Sequence, residues 1–287
     1  MVTDIWFANP AVQTLALPMA VALAVSALLR LAGGRGAGAA LAGAGIGVGF
    51  LASDLAVMGL PVLLPRAALD KLPAIAVAGV IAGVALDLGR AGRNTRMFAI
   101  LAATFAAVAW VGWPTIAGGD GVALLPLAIL WALSAGVLVS LERPADQATG
   151  PAVMLTAAAL GVAVLVVLSG STGAAQLAGA VAAAGLGFFV VAWLPTGLAF
   201  TASGQLGAGL PLMALIAGLM QSGDIELSAL PMLLPVFLAG RLSGALLPSK
   251  VGLERVLRPL LTFAIALVPV LAAAGVHRMV REPLFWF

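Results

Sequence analysis

Apolar and small residues run through this chain in long blocks parted by short polar breaks, from Ala11 to Val276. A block of roughly twenty residues, rising 1.5 Å per residue as a helix, reaches across a hydrocarbon layer of about 30 Å. Ten such blocks are predicted, over residues 11–31, 37–64, 72–89, 97–116, 121–141, 150–169, 173–194, 197–220, 228–247 and 256–276. The breaks between them hold residues that end a membrane helix, among them Gly33-Gly34-Arg35, Pro65-Arg66, Gly118-Gly119-Asp120 and Pro248-Ser249-Lys250. Glycine and proline interrupt helical hydrogen bonding, and charge demands water. The weakest break, Leu194-Pro195-Thr196-Gly197, carries no charge, so nine or eleven spans are the alternatives to ten.

The expected fold is therefore all-α, a polytopic transmembrane helix bundle in one integral membrane domain over residues 1–287. Composition agrees: 63% of the residues are hydrophobic, 9% are charged and the mean hydropathy is +1.17. No water-soluble domain of this length carries such values. The first twenty residues have Asp4 and no Lys or Arg, which is not the basic start of a secretory signal, so the first block is expected to be a retained span.

Charge then sets an orientation. Ten of the 14 basic residues fall in breaks after odd-numbered spans: Arg30, Arg35, Arg90, Arg93, Arg96, Arg143, Arg241, Lys250, Arg255 and Arg258. Four fall after even-numbered spans: Arg66, Lys71, Arg278 and Arg281. Cytoplasmic loops collect Lys and Arg, so the N-terminus is expected outside. The excess of Ala, Gly and Arg suggests a GC-rich bacterial genome and hence the bacterial inner (plasma) membrane. Although the net charge is +3, the basic residues are scattered at helix ends, and nucleic acid is not an expected partner.

Ala40-Leu41-Ala42-Gly43-Ala44 in the second block is echoed by Gln176-Leu177-Ala178-Gly179-Ala180 in the seventh, half a chain later. Two five-span halves, 1–145 and 146–287, would have opposite orientations, which is the inverted repeat of many secondary transporters. Gly43 with Gly47, and Gly45 with Gly49, stand four apart and form two small-residue strips for close helix packing.

A few polar residues lie where they are costly. Asp54 is placed near the middle of the second block, where a carboxylate costs about 2.5 to 3.5 kcal/mol. It is read as a proton or cation coupling site, with Arg241 in the ninth block as its partner or as the holder of an anionic substrate. The eighth block gathers Thr201, Ser203, Gln205, three glycines and Pro211, a composition that predicts a broken or kinked span lining a site. Asp87 and Arg90 have the spacing of a surface pair. His277 is expected in the headgroup region, and Trp6, Trp110, Trp113 and Trp286 are read as interfacial anchors.

With no Cys, no Tyr and one His, the chain holds no thiolate or paired-imidazole site. No catalytic residue, metal or cofactor is expected. The leading reading is a carrier for a small solute or ion, coupled through the buried carboxylate. Its partners would be the lipid bilayer, its substrate, and a second copy or another membrane subunit. A non-catalytic membrane scaffold or assembly subunit is the alternative. Third comes an enzyme on lipid or polyprenyl substrates, with Arg90, Arg93 and Arg96 holding a phosphate.

Overall fold

The computed structural model describes residues 9–62, 64–119, 121–141, 149–194, 197–225, 228–247 and 254–281. Calls made on Trp6, Arg143, Pro195, Lys250 and Trp286, and on the side chain of Arg255, lie outside these residues.

The described chain is an all-α bundle. Its helices are α1 (Leu17–Gly33), α2 (Ala44–Met58), α3 (Leu72–Leu88), α4 (Arg93–Val111) and α5 (Gly121–Ser140). There follow α6 (Thr149–Ser169), α7 (Thr172–Trp193), α8 (Ala202–Ser222), α9 (Ala239–Leu246) and α10 (Glu254–Arg281). A nine-residue 3-10 segment, Leu230–Leu238, leads into α9. Among the described residues, eight stretches are long and apolar enough to cross a membrane, whereas Ala44–Met58 and Leu230–Leu246 are shorter. The protein is thus a multi-pass helical bundle of membrane-spanning composition.

Local chemistry explains the boundaries. The stretch Val12–Leu41 has the composition of one long membrane helix, yet the chain reverses within it, because Gly34 adopts φ 65° and a wide turn follows over Gly34–Gly38. α2 then packs antiparallel on α1, and the Ser26 hydroxyl donates to the Ala42 carbonyl at 2.8 Å. At its other end α2 stops at Met58, where Gly59 takes φ 84° and donates to Leu55 O. Pro61 and Pro65 have no N–H with which to continue a helix. The second span is therefore shorter than the block 37–64.

α8 forms the centre of the bundle, with every residue from Ala202 to Leu219 buried. It is enclosed by α2, α3, α4 and α5, and α7 packs on α1, α2 and α6. The expected break in this span is not found, since α8 runs as one helix from Ala202 to Ser222 with Pro211 inside it. Its glycines serve packing. A Cβ on Gly43 would lie 2.6 Å from the Gly204 nitrogen, and one on Gly79 would lie 2.5 Å from the Leu206 carbonyl oxygen. On Gly47 it would stand 2.8 Å from the Gly207 oxygen. That oxygen is the one Pro211, four residues on, cannot serve. The bare Cα of Gly47 thus faces a carbonyl without its helical donor, a place for a weak Cα–H···O contact. On the other strip, Gly45 meets Ala22 and Ser26 of α1, and Gly49 meets Pro18 of the same helix.

Two faces can be distinguished. The end of α2, the start of α3, the end of α8 and the end of α10 share one: Ser53 Oγ donates to Gln13 O at 2.6 Å, Ala68 lies against Gly218, and Arg281 donates to Gly223 O at 3.1 Å. The opposite face holds the turn Gly34–Gly38, the end of α3 and the starts of α4, α6 and α8. Described helices begin and end the chain at the same face.

Replacing Gly43 with Val should force α2 away from α8 and cost about 2 kcal/mol. Gly275→Ala, where an added Cβ meets nothing within 4 Å, should be neutral or stabilising by up to about 1 kcal/mol. Melting of the purified protein in detergent reads both changes.

Candidate functional site

The first turn of α8 has N–H groups with no helical partner and no acidic residue of its own to receive them. A carboxylate arrives from another helix. Asp87, at the end of α3, accepts the Ser203 backbone N–H on Oδ2 at 2.9 Å and the Thr201 hydroxyl at 2.8 Å. Its other oxygen faces Arg96 Nη2 of α4 at 3.4 Å, and its side chain is 0% exposed. Negative charge is thereby set at the positive end of a buried helix. The Ala40 carbonyl, from the turn between α1 and α2, accepts the Ser203 hydroxyl at 2.9 Å. Thr201 Oγ1 stands 2.8 Å from both that carbonyl and Asp87. Its single proton serves one at a time, and Ser203 leaves it to the carboxylate. Extended backbone before α8 completes the junction, with Ala199 N donating to Ala39 O at 3.2 Å.

Thr201 and Ser203 were expected at a site, and they do converge, but on Asp87. The Asp87–Arg90 pair does not form. Arg90 takes φ 48° in the turn after α3 and is exposed, and that turn brings Arg96 to the carboxylate instead. The signal available in the sequence was a helix start rich in hydroxyls and lacking an acid.

Gln205 donates from Nε2 to Leu138 O of α5 at 3.1 Å, and its buried Oε1 has no hydrogen-bond partner among the described residues. Asp54 is 1% exposed, one turn before the end of α2 rather than at mid-span, and near enough to Asp70 to feel its charge. Its Oδ1 is likewise buried and unpartnered among the described residues. Arg241 is not its partner. Asp54 lies by the start of α3, whereas Arg241 shares a cavity with residues just past the end of α3, a helix of seventeen residues or about 25 Å. Lys71, beside Asp70, is buried and donates to the last-turn carbonyl of Trp110 at 2.8 Å, with that indole ring 6.0 Å from its nitrogen. His277 is buried against its neighbours, about one turn before Arg281 at the end of α10.

Arg241 belongs to a different assembly. A cavity of about 660 Å³ is lined by Arg93 and Arg96 of α4, Gly136 and Ser140 of α5, and Arg241 of α9. A second, of about 440 Å³, is lined by Arg241 again, with Ser243, Gly244, Arg258 and Thr262. Glycine makes room here, since a Cβ on Gly244 would lie 2.7 Å from Arg258 Nη2. The hydroxyls of Ser243 and Thr262 are 2.7 Å apart, and Thr262 donates to Arg258 O at 2.8 Å. Both cavities lie at the face where α4 begins, and no acidic side chain lines either among the described residues. Asp54, Gln205, Ser203 and Thr201 line neither. Four guanidinium groups from α4, α9 and α10 thus surround adjoining space.

No known protein family matches the chain, and no curated protein is recognisably similar to it.

Asp87→Asn should cost about 3 kcal/mol, because it leaves the Arg96 guanidinium and the α8 terminus without their anion. Thr201→Val should cost about 1 kcal/mol. Unfolding in mixed micelles, compared with the parent chain, measures the difference.

Proposed function

We propose that this multi-pass membrane protein is a carrier whose solute is an anion bound in the arginine-lined cavities. The observation that carries this reading is the gathering of Arg93, Arg96, Arg241 and Arg258 around two cavities that share Arg241 and have no acidic lining among the described residues. Arg93 and Arg241 are exposed on the rim of this space, where a concentration of positive charge attracts an anion. Arg93 and Arg96 stand in the first turn of α4, which has no acidic residue of its own; Asp87 of α3 pairs with Arg96. A chain that needed only a stable α4 would put acids there. Guanidinium forks suit carboxylate and phosphate oxygens.

In this reading the basic face is cytoplasmic, by the rule that Lys and Arg collect there. The membrane is a bacterial plasma membrane. Asp54, buried at the far face beside Asp70, is the coupling carboxylate. α3 packs on α8 and α2 on α7, each pair holding equivalent places in the two halves, which supports the inverted-repeat organisation common in carriers.

Inorganic pyrophosphate at low ionic strength should raise the melting temperature of the detergent-solubilised protein by several degrees, since ligands of the native state stabilise it by mass action. Chloride at matched ionic strength should not. The double variant Arg93→Gln, Arg241→Gln should lose most of the gain. Equal gains for the parent chain and the variant, or none for either, would remove the anion-carrier reading and leave a membrane scaffold as the better account.

A further inference from the structure

Between α5 and the segment Leu230–Leu238 lies a third cavity, of about 320 Å³, walled by hydrocarbon. Leu125, Ile129 and Leu133 form one side, Leu234 and Phe237 the other, and Ile216 of α8 the floor. Its one hydroxyl, on Ser134, is already bonded to Met213 Sδ at 2.9 Å, so nothing in the lining calls for a polar guest. The rim opens sideways: Leu125, Ile129 and Leu133 are among the exposed apolar side chains of α5. The volume falls in the range of ligand pockets.

This apolar space and the basic cavities share their walls. Val137 lines the first, and its neighbour Gly136 lines the cavity of Arg93, Arg96 and Arg241. Phe237 lines both the apolar cavity and the cavity of Arg258. The apolar lining on α5 runs from Leu125, about 6 Å from the start of the helix at the far face, to Val137, so it crosses the membrane interior and ends beside the basic cavity. Hydrocarbon toward the middle of the membrane and guanidinium at its face is the order of tail and headgroup in a lipid. The opposite wall is a run of nine residues in 3-10 geometry, with Pro231 and Pro235 lacking N–H donors. Such runs are seldom longer than three or four residues, and where they occur they often mark hinges.

Building on the anion-carrier reading, we infer that the bound anion is the headgroup of an acidic lipid. Its phosphate lies among Arg93, Arg241 and Arg258, and one of its chains lies between α5 and Leu230–Leu238, reached sideways from the bilayer. Charge complementarity selects an anionic lipid over the zwitterionic lipids that would coat any apolar groove, because each arginine near the surface favours an acidic headgroup.

The test uses the full chain in phosphatidylcholine nanodiscs with trace phosphatidylglycerol bearing a diazirine on one acyl chain, or the same label on phosphatidylcholine. After irradiation, mass spectrometry maps the adducts. Phosphatidylglycerol should label the protein about tenfold more than phosphatidylcholine, with adducts concentrated on residues 125–137 and 230–237. Arg93→Gln with Arg241→Gln should bring that labelling down to the phosphatidylcholine level. Ile129→Trp, at a lipid-facing position where a larger side chain is tolerated, should move the adducts away from α5 while elution as a single peak shows the protein intact. Unlabelled phosphatidylglycerol should compete, whereas tailless glycerophosphoglycerol should not. Equal labelling by both lipids, adducts spread over all lipid-facing helices, or a bound transmembrane segment in place of lipid would overturn the inference. Pyrophosphate protection that persists alongside such a result would keep the anion site and reject only its lipid tail. Loss of both would reject the anion site itself.

Discussion

A charge removed from water and lipid alike must be satisfied by the protein around it, and the junction at Asp87 is where this bundle meets that demand. The carboxylate joins two consecutive helices to a distant one: its own helix α3, the guanidinium on α4, and the hydroxyl and N–H of the α8 start. The Ala40 carbonyl adds the α1–α2 turn to the same knot. α8 could not begin inside the protein without it, because its first N–H groups would be orphaned where no solvent reaches. Once the start of α8 is fixed, the glycines of α2 and α3 have a backbone to lie against.

The same junction separates scaffold from site. Arg96 contacts Asp87 and also lines the larger basic cavity, so the carboxylate holds one wall of that cavity in place. Arg93, one turn before Arg96 on α4, and Arg241 of α9 line the same space without touching the carboxylate. Arginine here has two uses: one side chain is tied into the fold, and others are displayed to whatever enters.

Much of the architecture was legible in the sequence because hydrophobic blocks and their Gly, Pro and Arg breaks follow from the energetics of burying a backbone in hydrocarbon. The collection of arginines at one face followed from the same pattern. What failed was depth. The block 37–64 reads as one long span, since Leu60, Val62 and Leu64 are as apolar as any helix residue, but Gly59 and the prolines leave these three outside any helix, and Leu60 is 89% exposed. Asp54 consequently moved from the centre of a span to its end. Asp87 was undervalued for another reason, because its partners Thr201 and Ser203 lie 114 and 116 positions away, beyond any spacing rule. The glycines and hydroxyls of the eighth block were singled out correctly as unusual. In the fold, a composition that weakens an isolated helix lets this enclosed one be gripped closely from all sides.

That grip divides the molecule mechanically. Where α2 and α3 meet α8, backbone touches backbone, and such a seam has no side-chain rotamers through which to slip or repack. These helices must travel as one block. Across the bundle, α5 and Leu230–Leu238 stand apart with a hollow between them, and there compliance is cheap. Any working stroke of this protein is therefore expected to be a swing of its loosely joined flank against a stiff keel.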